Sequence, residues 1–395
     1  MRRVFHVAFF CMAVAPVMTR PASATSSTKA DIAAIESNID VGRLMKEHRL
    51  PGMSVAVVRN FRLEWAKGYG VTGMGDTRPV TSRTLFLVGS ISKPVTAVGA
   101  LALVDMGSLS LDEDVNDRLR SWRVPANEYT SQKVTLARLL DHTAGFAGGE
   151  FFPGYAVDEP LPSLRQILDG LAPARNPPVR VGSIPGSKWR YSGDGYLIIQ
   201  QLMIDVTGES FPRLMRQLVF DKVGMHDSTF EQPLPHDLDS LAASGTLANG
   251  TPVRGRWHVS PEMAAGGLWS TPTDLVKLAS ALARAVRDKD PGHLLSHRLA
   301  KEVIAPHVKQ GVLDILGTTQ DPDAMGYGFF VGEKTHRFGH VGGHVGYQAT
   351  LVFFANTGDG VAITTNSDVG LQAGNVLLNA IARYYRWNYT APPPP

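Results

Sequence analysis

The stretch Leu87-Val88-Gly89-Ser90-Ile91-Ser92-Lys93-Pro94, running on into the apolar segment from Val95 to Met106, limits this chain more than any other. The helix it predicts, ending near Gly107, is apolar nearly all round, so it has no face to offer to water and belongs in the interior. Other elements must therefore wrap it. Ser90 and Lys93 fall in the first turn, three positions apart, which puts them on one helix face with Cβ atoms roughly 5–6 Å apart. A serine hydroxyl becomes a useful nucleophile when a neighbouring base takes its proton, and a neutral lysine one turn away can do that. Unpaired N–H groups at the helix N-terminus can stabilise an oxyanion. The same spacing recurs at Ser26-Ser27-Thr28-Lys29, so spacing alone decides nothing. Without partners, Ser90 reads as an ordinary helix-capping serine.

The flanking segments predict what does the wrapping. Asp31 to His48 has helical periodicity, with Ile32, Ile35, Ile39 and Leu44-Met45 on one side. Met53–Val58 and Leu63–Val71 read as strands joined through Arg59-Asn60-Phe61-Arg62. From Leu111 to about Ala265 helical patches alternate with Gly- and Pro-rich loops, as at Val134–Leu140 and Tyr196–Val206. A helix over Gly267–Ala285, capped by Thr273, follows. Strands return at Gly326–Val331 and Phe338–Tyr347, then as a hairpin, Ala349–Phe354 and Gly360–Thr365, before a last helix over Leu371–Tyr385. The expected fold is α+β: an antiparallel sheet from residues 25–110 and 266–388, flanked by N- and C-terminal helices, with a mostly helical insertion at 111–265 and a tail at 389–395.

The first 24 residues have the form of a secretory signal: Arg2-Arg3, an apolar Val4–Met18, and a small-residue site at Pro21-Ala22-Ser23-Ala24, with cleavage expected after Ala24. Cleavage would take Arg2, Arg3 and Arg20 but no acid, and the formal charge of +3 falls to zero. Nucleic-acid binding then loses its compositional support. The sole cysteine, Cys11, leaves as well, so the mature chain has no disulfide and no cysteine metal site, which suits a secreted or periplasmic location. No metal motif, phosphate loop or dinucleotide fingerprint appears, so no cofactor is expected, and no membrane span remains after signal removal. Oligomeric state is not legible.

Two further stretches carry candidate chemistry. In Lys188-Trp189-Arg190-Tyr191-Ser192-Gly193-Asp194, a tyrosine on a turn-rich segment can bring a phenol to a cleft wall. In Gly339-His340-Val341-Gly342-Gly343-His344, the glycines weaken a strand and mark close approach of a backbone or ligand. With Leu139–Gly145, Val223–Phe230 and Gly266–Thr271 in the same order, the chain from about residue 30 to 385 resembles the serine β-lactamase and penicillin-binding protein superfamily. The branch is that of class C β-lactamases, D-Ala-D-Ala carboxypeptidases and related esterases.

The resemblance implies a β-lactamase/transpeptidase-like fold with Ser90 as acylated nucleophile, Lys93 as its base and Tyr191 as a second proton carrier. It implies an oxyanion hole from the N–H groups of Ser90 and Gly343, and substrate contacts at His340 and Gly342. Two positions depart from the family pattern. Gly193 stands where the family has the Asn of Tyr-x-Asn, and Asp194 beside it is a partial substitute. His340-Val341-Gly342 replaces Lys-Thr-Gly, and a histidine of ordinary pKa near 6.5 holds a substrate carboxylate less firmly than lysine. The expected substrate is a small molecule or peptide: an ester, a D-amino-acid peptide or a β-lactam amide. Carboxypeptidase or esterase activity is expected ahead of efficient β-lactam hydrolysis, and a catalytically weak receptor or scaffold that binds cell-wall peptide is the alternative. His142, Asp227 and Trp269 read as structural, and His340 has a bland reading as an edge-strand histidine.

Overall fold

The computed structural model describes residues 24–146, 148–288 and 294–392. The signal segment, apart from Ala24, lies outside the described residues. Seven antiparallel strands form the main sheet: β1 (Gly52–Arg59), β2 (Arg62–Gly70), β3 (Ala324–Met325), β4 (Phe330–Gly332), β5 (Arg337–His344), β6 (Tyr347–Phe354) and β7 (Asp359–Thr365). Their order across the sheet is β2-β1-β7-β6-β5-β4-β3. The N-terminal hairpin is therefore inserted beside the last strand, joined by pairs such as Val55 with Ile363. The β1–β2 turn is tight, with Asn60 and Phe61 both at positive φ.

Side chains alternate between the two faces of a strand, and here both faces are buried. Ala56, Val58, Leu351, Phe353 and Ala362 face one apolar core; Val55, Val57, Val352, Phe354, Val361 and Ile363 face another. That is why the strands read as near-continuous apolar runs. The second core is closed by α1 (Ala24–Asn38), α2 (Val41–Glu47) and the C-terminal helix Gly370–Tyr384. The single helix expected over Asp31–His48 is broken: the Asp40 carboxylate accepts from the Arg43 N–H and starts a new helix. The apolar stripe runs through this break, so periodicity alone conceals it.

The first core contains α3 (Ser92–Asp105), in which every residue from Ser92 to Leu103 is buried. Each fully buried Val or Leu there contributes roughly 1.5–3 kcal/mol. Ser90 itself precedes α3, in a single 3₁₀ turn over Gly89–Ile91. Against α3 pack the helical middle, including α4 (Gly193–Thr207) and the short α5 (Met263–Gly266); the amphipathic α6 (Pro272–Arg287) closes the same core from the sheet, lying on β1, β2, β6 and β7. The α6 cap is Thr271, whose side chain accepts from the Asp274 N–H, rather than Thr273. Pro272 takes the first helical position, where its missing N–H costs nothing, and this moves the cap one residue before it.

The outer edge of β5 pairs with β4 only from Arg337 to Gly339. Beyond His340 that edge meets the Ser90 turn instead.

Candidate active site

The Ser90 turn is held from two sides. Ser92 Oγ donates to the Gly89 carbonyl at 2.6 Å and accepts from the Leu268 N–H at 3.0 Å. Gly89 has φ +50, and a Cβ there would lie 2.3 Å from the Gly343 carbonyl oxygen. A Cβ on Gly342 would lie 1.9 Å from the Val88 oxygen and 3.0 Å from the Ser90 nitrogen. Both glycines are thus required by the approach of strand to turn, and that approach brings the backbone of Gly343 alongside Ser90.

Lys93 Nζ donates to Ser90 Oγ at 2.9 Å and to the Ala265 carbonyl at 2.8 Å. The residue is 2% exposed, and its ammonium stands 4.9 Å from the Tyr191 ring centre. Burial disfavours the charged form and brings the amine from 10.5 down to about 7. At neutral pH a large share of Lys93 is therefore free base, hydrogen-bonded to the hydroxyl it would deprotonate. Burial pushes the Tyr191 phenol above its ordinary value, and the neighbouring Ser90 offsets this only in part. The phenol keeps its proton at rest. The geometry gives a base and an acid on one serine.

His340 is 1% exposed and lies against the rings of Phe330 and Tyr191, with centres 5.0 and 6.0 Å away. Burial, reinforced by the Lys93 charge, lowers its pKa to about 3. Its Nδ1 bonds the Val341 carbonyl and so carries the proton; Nε2 is then an acceptor, buried without a partner. A histidine half charged near pH 6.5 is not what this strand holds: the imidazole is neutral throughout the physiological range.

Asp194 lies in the first turn of α4, against the loop at Gly148 and Gly149. Its carboxylate, 7% exposed, packs on the loop opposite, bonded to the Gly148 backbone, and burial raises it to about 6. Gly193 has a physical reason. Its N–H donates to the Gly149 oxygen at 2.8 Å, and a Cβ would lie 2.3 Å from that oxygen and 2.6 Å from the Phe152 ring. The loop fills the place that a side chain at 193 would need.

One residue read as structural holds the site in place, and one contributor escaped sequence reasoning. His142, at φ +64, is fully enclosed, its ring 4.6 Å from that of Tyr191 and its Nδ1 accepting from the Ser192 N–H at 3.1 Å. Burial and the nearby Lys93 hold it well below its usual pKa. It fixes the segment that carries Tyr191, and its place in Leu139–Gly145 was the available signal. The Ala265 carbonyl had none, being a backbone group. Among the described residues no cluster of His, Cys, Asp and Glu could hold a metal ion, and no helix is long and apolar enough to cross a membrane.

The sequence model of the family described as Beta-lactamase matches residues 40–385. Penicillin-binding protein 4 of Amycolatopsis lactamdurans is 28% identical over 335 residues, covering 82% of this chain and 83% of that protein. Esterase EstB of Burkholderia gladioli is 26% identical over 217 residues, which span 52% of this chain and about half, 54%, of the esterase. The solved D-alanine carboxypeptidase AmpC of Burkholderia cenocepacia superposes with a TM-score of 0.66 at 20% identity, covering 91% of this chain and 99% of that one.

Proposed function

This chain belongs to the beta-lactamase family, and from that premise we propose that it hydrolyses an ester or a D-amino-acid peptide through an acyl-enzyme on Ser90. One observation carries the reading: Lys93 Nζ, depressed to about 7 by burial, lies 2.9 Å from Ser90 Oγ. Lys93 accepts the hydroxyl proton as Oγ bonds the substrate carbonyl carbon. The carbonyl electron pair moves onto oxygen, stabilised by the N–H groups of Ser90 and Gly343, each worth about 2.7–4 kcal/mol at comparable sites. Collapse breaks the bond to the leaving group, which takes a proton from Tyr191, and water releases the acid by the reverse sequence.

The substrate preference rests on the two departures from the family pattern. His340 supplies no positive charge at neutral pH, so a substrate carboxylate gains nothing from it. Gly193 supplies no amide. Both favour ester hydrolysis, and peptidase activity on substrates without a terminal carboxylate, over efficient β-lactam turnover. The relatives named as an esterase and as a D-alanine carboxypeptidase are consistent with that range. The N-terminal pattern of residues 1–24 supports export to a periplasmic or extracellular site.

The test is to incubate the protein with p-nitrophenyl acetate and with a fluorescent penicillin, following release and intact mass, with Ser90→Ala as control. Turnover and a serine adduct, both abolished in Ser90→Ala, are expected. Absence of both defeats the reading. The crowding at Gly193 favours a second reading, a cell-wall-peptide receptor that acylates and does not turn over; labelling by penicillin with no release from either reagent would identify it.

A further inference from the structure

The apolar run Tyr196–Met203 of α4 contains two glutamines, Gln200 and Gln201. Gln201 donates to the Asp205 carboxylate at 2.9 Å, one turn on along its own helix. Gln200, 2% exposed, reaches across to another element. Its Oε1 accepts from the Ala264 N–H at 3.0 Å, and its Nε2 donates to the Pro261 carbonyl at 3.2 Å. Each end of the amide meets the group it needs, and only this orientation of the amide satisfies both.

What Gln200 grips is the turn whose next carbonyl holds Lys93. The helix α5 has four residues, too few to keep its shape unaided. Gln232 ties its ends: Oε1 accepts from the Ser260 N–H at 3.2 Å, and Nε2 donates to the Gly267 carbonyl at 2.7 Å. Tied ends still let the turn between them rotate, and the Gln200 amide at Ala264 stops that rotation. The Ala265 carbonyl is then fixed 2.8 Å from Lys93 Nζ. With one N–H of the free amine committed to Ala265, its lone pair stays available to the Ser90 hydroxyl, 2.9 Å away. Once the amine is protonated, the same carbonyl stabilises the ammonium, because a hydrogen bond to the charged form favours that form.

We propose that Gln200 is a positioning residue for the base: its amide holds the Ala265 carbonyl on Lys93 Nζ and so aims the amine at Ser90. The proposal rests on the hydrolase reading for its place in the reaction and adds to it a residue that acts through the backbone of α5. One helix, α4, then sets both proton carriers, since Tyr191 stands just before its first turn.

The readout is the titration of Lys93 itself. Tyr191, Tyr196, His142 and His340 face its amine; burial keeps the phenols above and the imidazoles below their usual values, so none changes charge near pH 7. Asp194 and Glu262, at the starts of α4 and α5, titrate at about 6 and about 7, so a rate profile alone would mix them with the lysine. In the full-length protein labelled with 13C-lysine, the Lys93 Cε signal is assigned by its loss in Lys93→Met. Its midpoint is expected at about 7 in the wild type, and about one to two pH units lower in Gln200→Met and Gln200→Ala. In both variants kcat for p-nitrophenyl acetate should fall about tenfold, with KM within about twofold. Gln200→Glu keeps an acceptor for the Ala264 N–H, and its midpoint should not fall below that of the wild type. Val276→Ala, which removes buried methyl groups from α6, should lose stability without moving the midpoint. An unmoved midpoint in either Gln200 variant that melts as a folded protein, or an equal shift in Val276→Ala, overturns the proposal. Ester turnover with an unmoved midpoint defeats the positioning role alone. A lowered midpoint with no turnover by the wild type defeats the hydrolase reading and leaves the positioning role standing.

Discussion

Replacing Lys93 by methionine should make the protein more stable at neutral pH while abolishing acylation. The native lysine titrates at about 7, against 10.5 when unburied. That displacement corresponds to about 5 kcal/mol at about 1.4 kcal/mol per pH unit. Below pH 7 both folded and unfolded chains carry the proton, and the full penalty weighs on the native state. Between 7 and 10.5 the unfolded chain binds more protons than the native one, so wild-type stability climbs with pH. Above 10.5 both states are neutral and the penalty is gone. Methionine keeps the apolar stem and removes the charge. It also leaves the Ala265 carbonyl, the acceptor at 2.8 Å, without its donor, at a cost of about 1–3 kcal/mol. The net gain is roughly 2–4 kcal/mol at pH 6 to 7, shrinking to nothing and then reversing as pH approaches 10.5. Urea unfolding of both proteins across that range measures it. A variant that is less stable at neutral pH, or an offset that does not change with pH, would show that burial of a charged Lys93 is not what sets its proton affinity. The same proton governs rate: kcat/KM of the wild type for a neutral ester should rise with pH through about 7.

Two adjacent glycines on the strand should behave oppositely. Gly342→Ala drives a Cβ to 1.9 Å from the Val88 oxygen and displaces the Ser90 turn, so ester hydrolysis should fall about 100-fold. Gly343→Ala meets nothing nearer than the Gln348 side chain at 3.3 Å and should stay within about threefold; comparable losses in both would contradict the stated packing. For His340, the ratio of KM values for matched esters with and without a terminal carboxylate should be flat between about pH 5 and 8, because the imidazole is already neutral. A rise confined to the carboxylate substrate through pH 6.5 would mean that His340 is charged when substrate binds.

What the sequence disclosed follows the range of the interactions. The Ser90–Lys93 pair is fixed by one turn of chain, and so is the envelope around it: an all-apolar segment cannot sit anywhere but inside. The strands were visible at both ends because burial on two faces writes an apolar run. Errors began where two local signals competed. Thr271 and Thr273 are equally good caps until Pro272 is given the first helical position, and the stripe from Ile32 to Met45 hides the new start at Asp40. His340 required still more. Its proton affinity is set by Phe330, Tyr191 and Lys93, drawn from three separate segments. A residue type carries its free-solution pKa in the sequence and its real one only in the packed site.

Gly193 shows the same limit from the other side. Read along the chain, it is the loss of an amide from a catalytic motif. In the folded protein it is one half of a contact whose other half, Gly149 and Phe152, lies some forty residues earlier. The backbone at 193 is not in the left-handed region, so conformation does not demand glycine; space does. Restoring asparagine alone would therefore force the loop outward rather than rebuild the missing contact, by the overpacking that typically costs about 1–3 kcal/mol. The same loop holds the Asp194 carboxylate. Residue 193 and the 148–152 loop thus have to vary together. The specificity of this site is written in their joint fit rather than in the absence of one side chain.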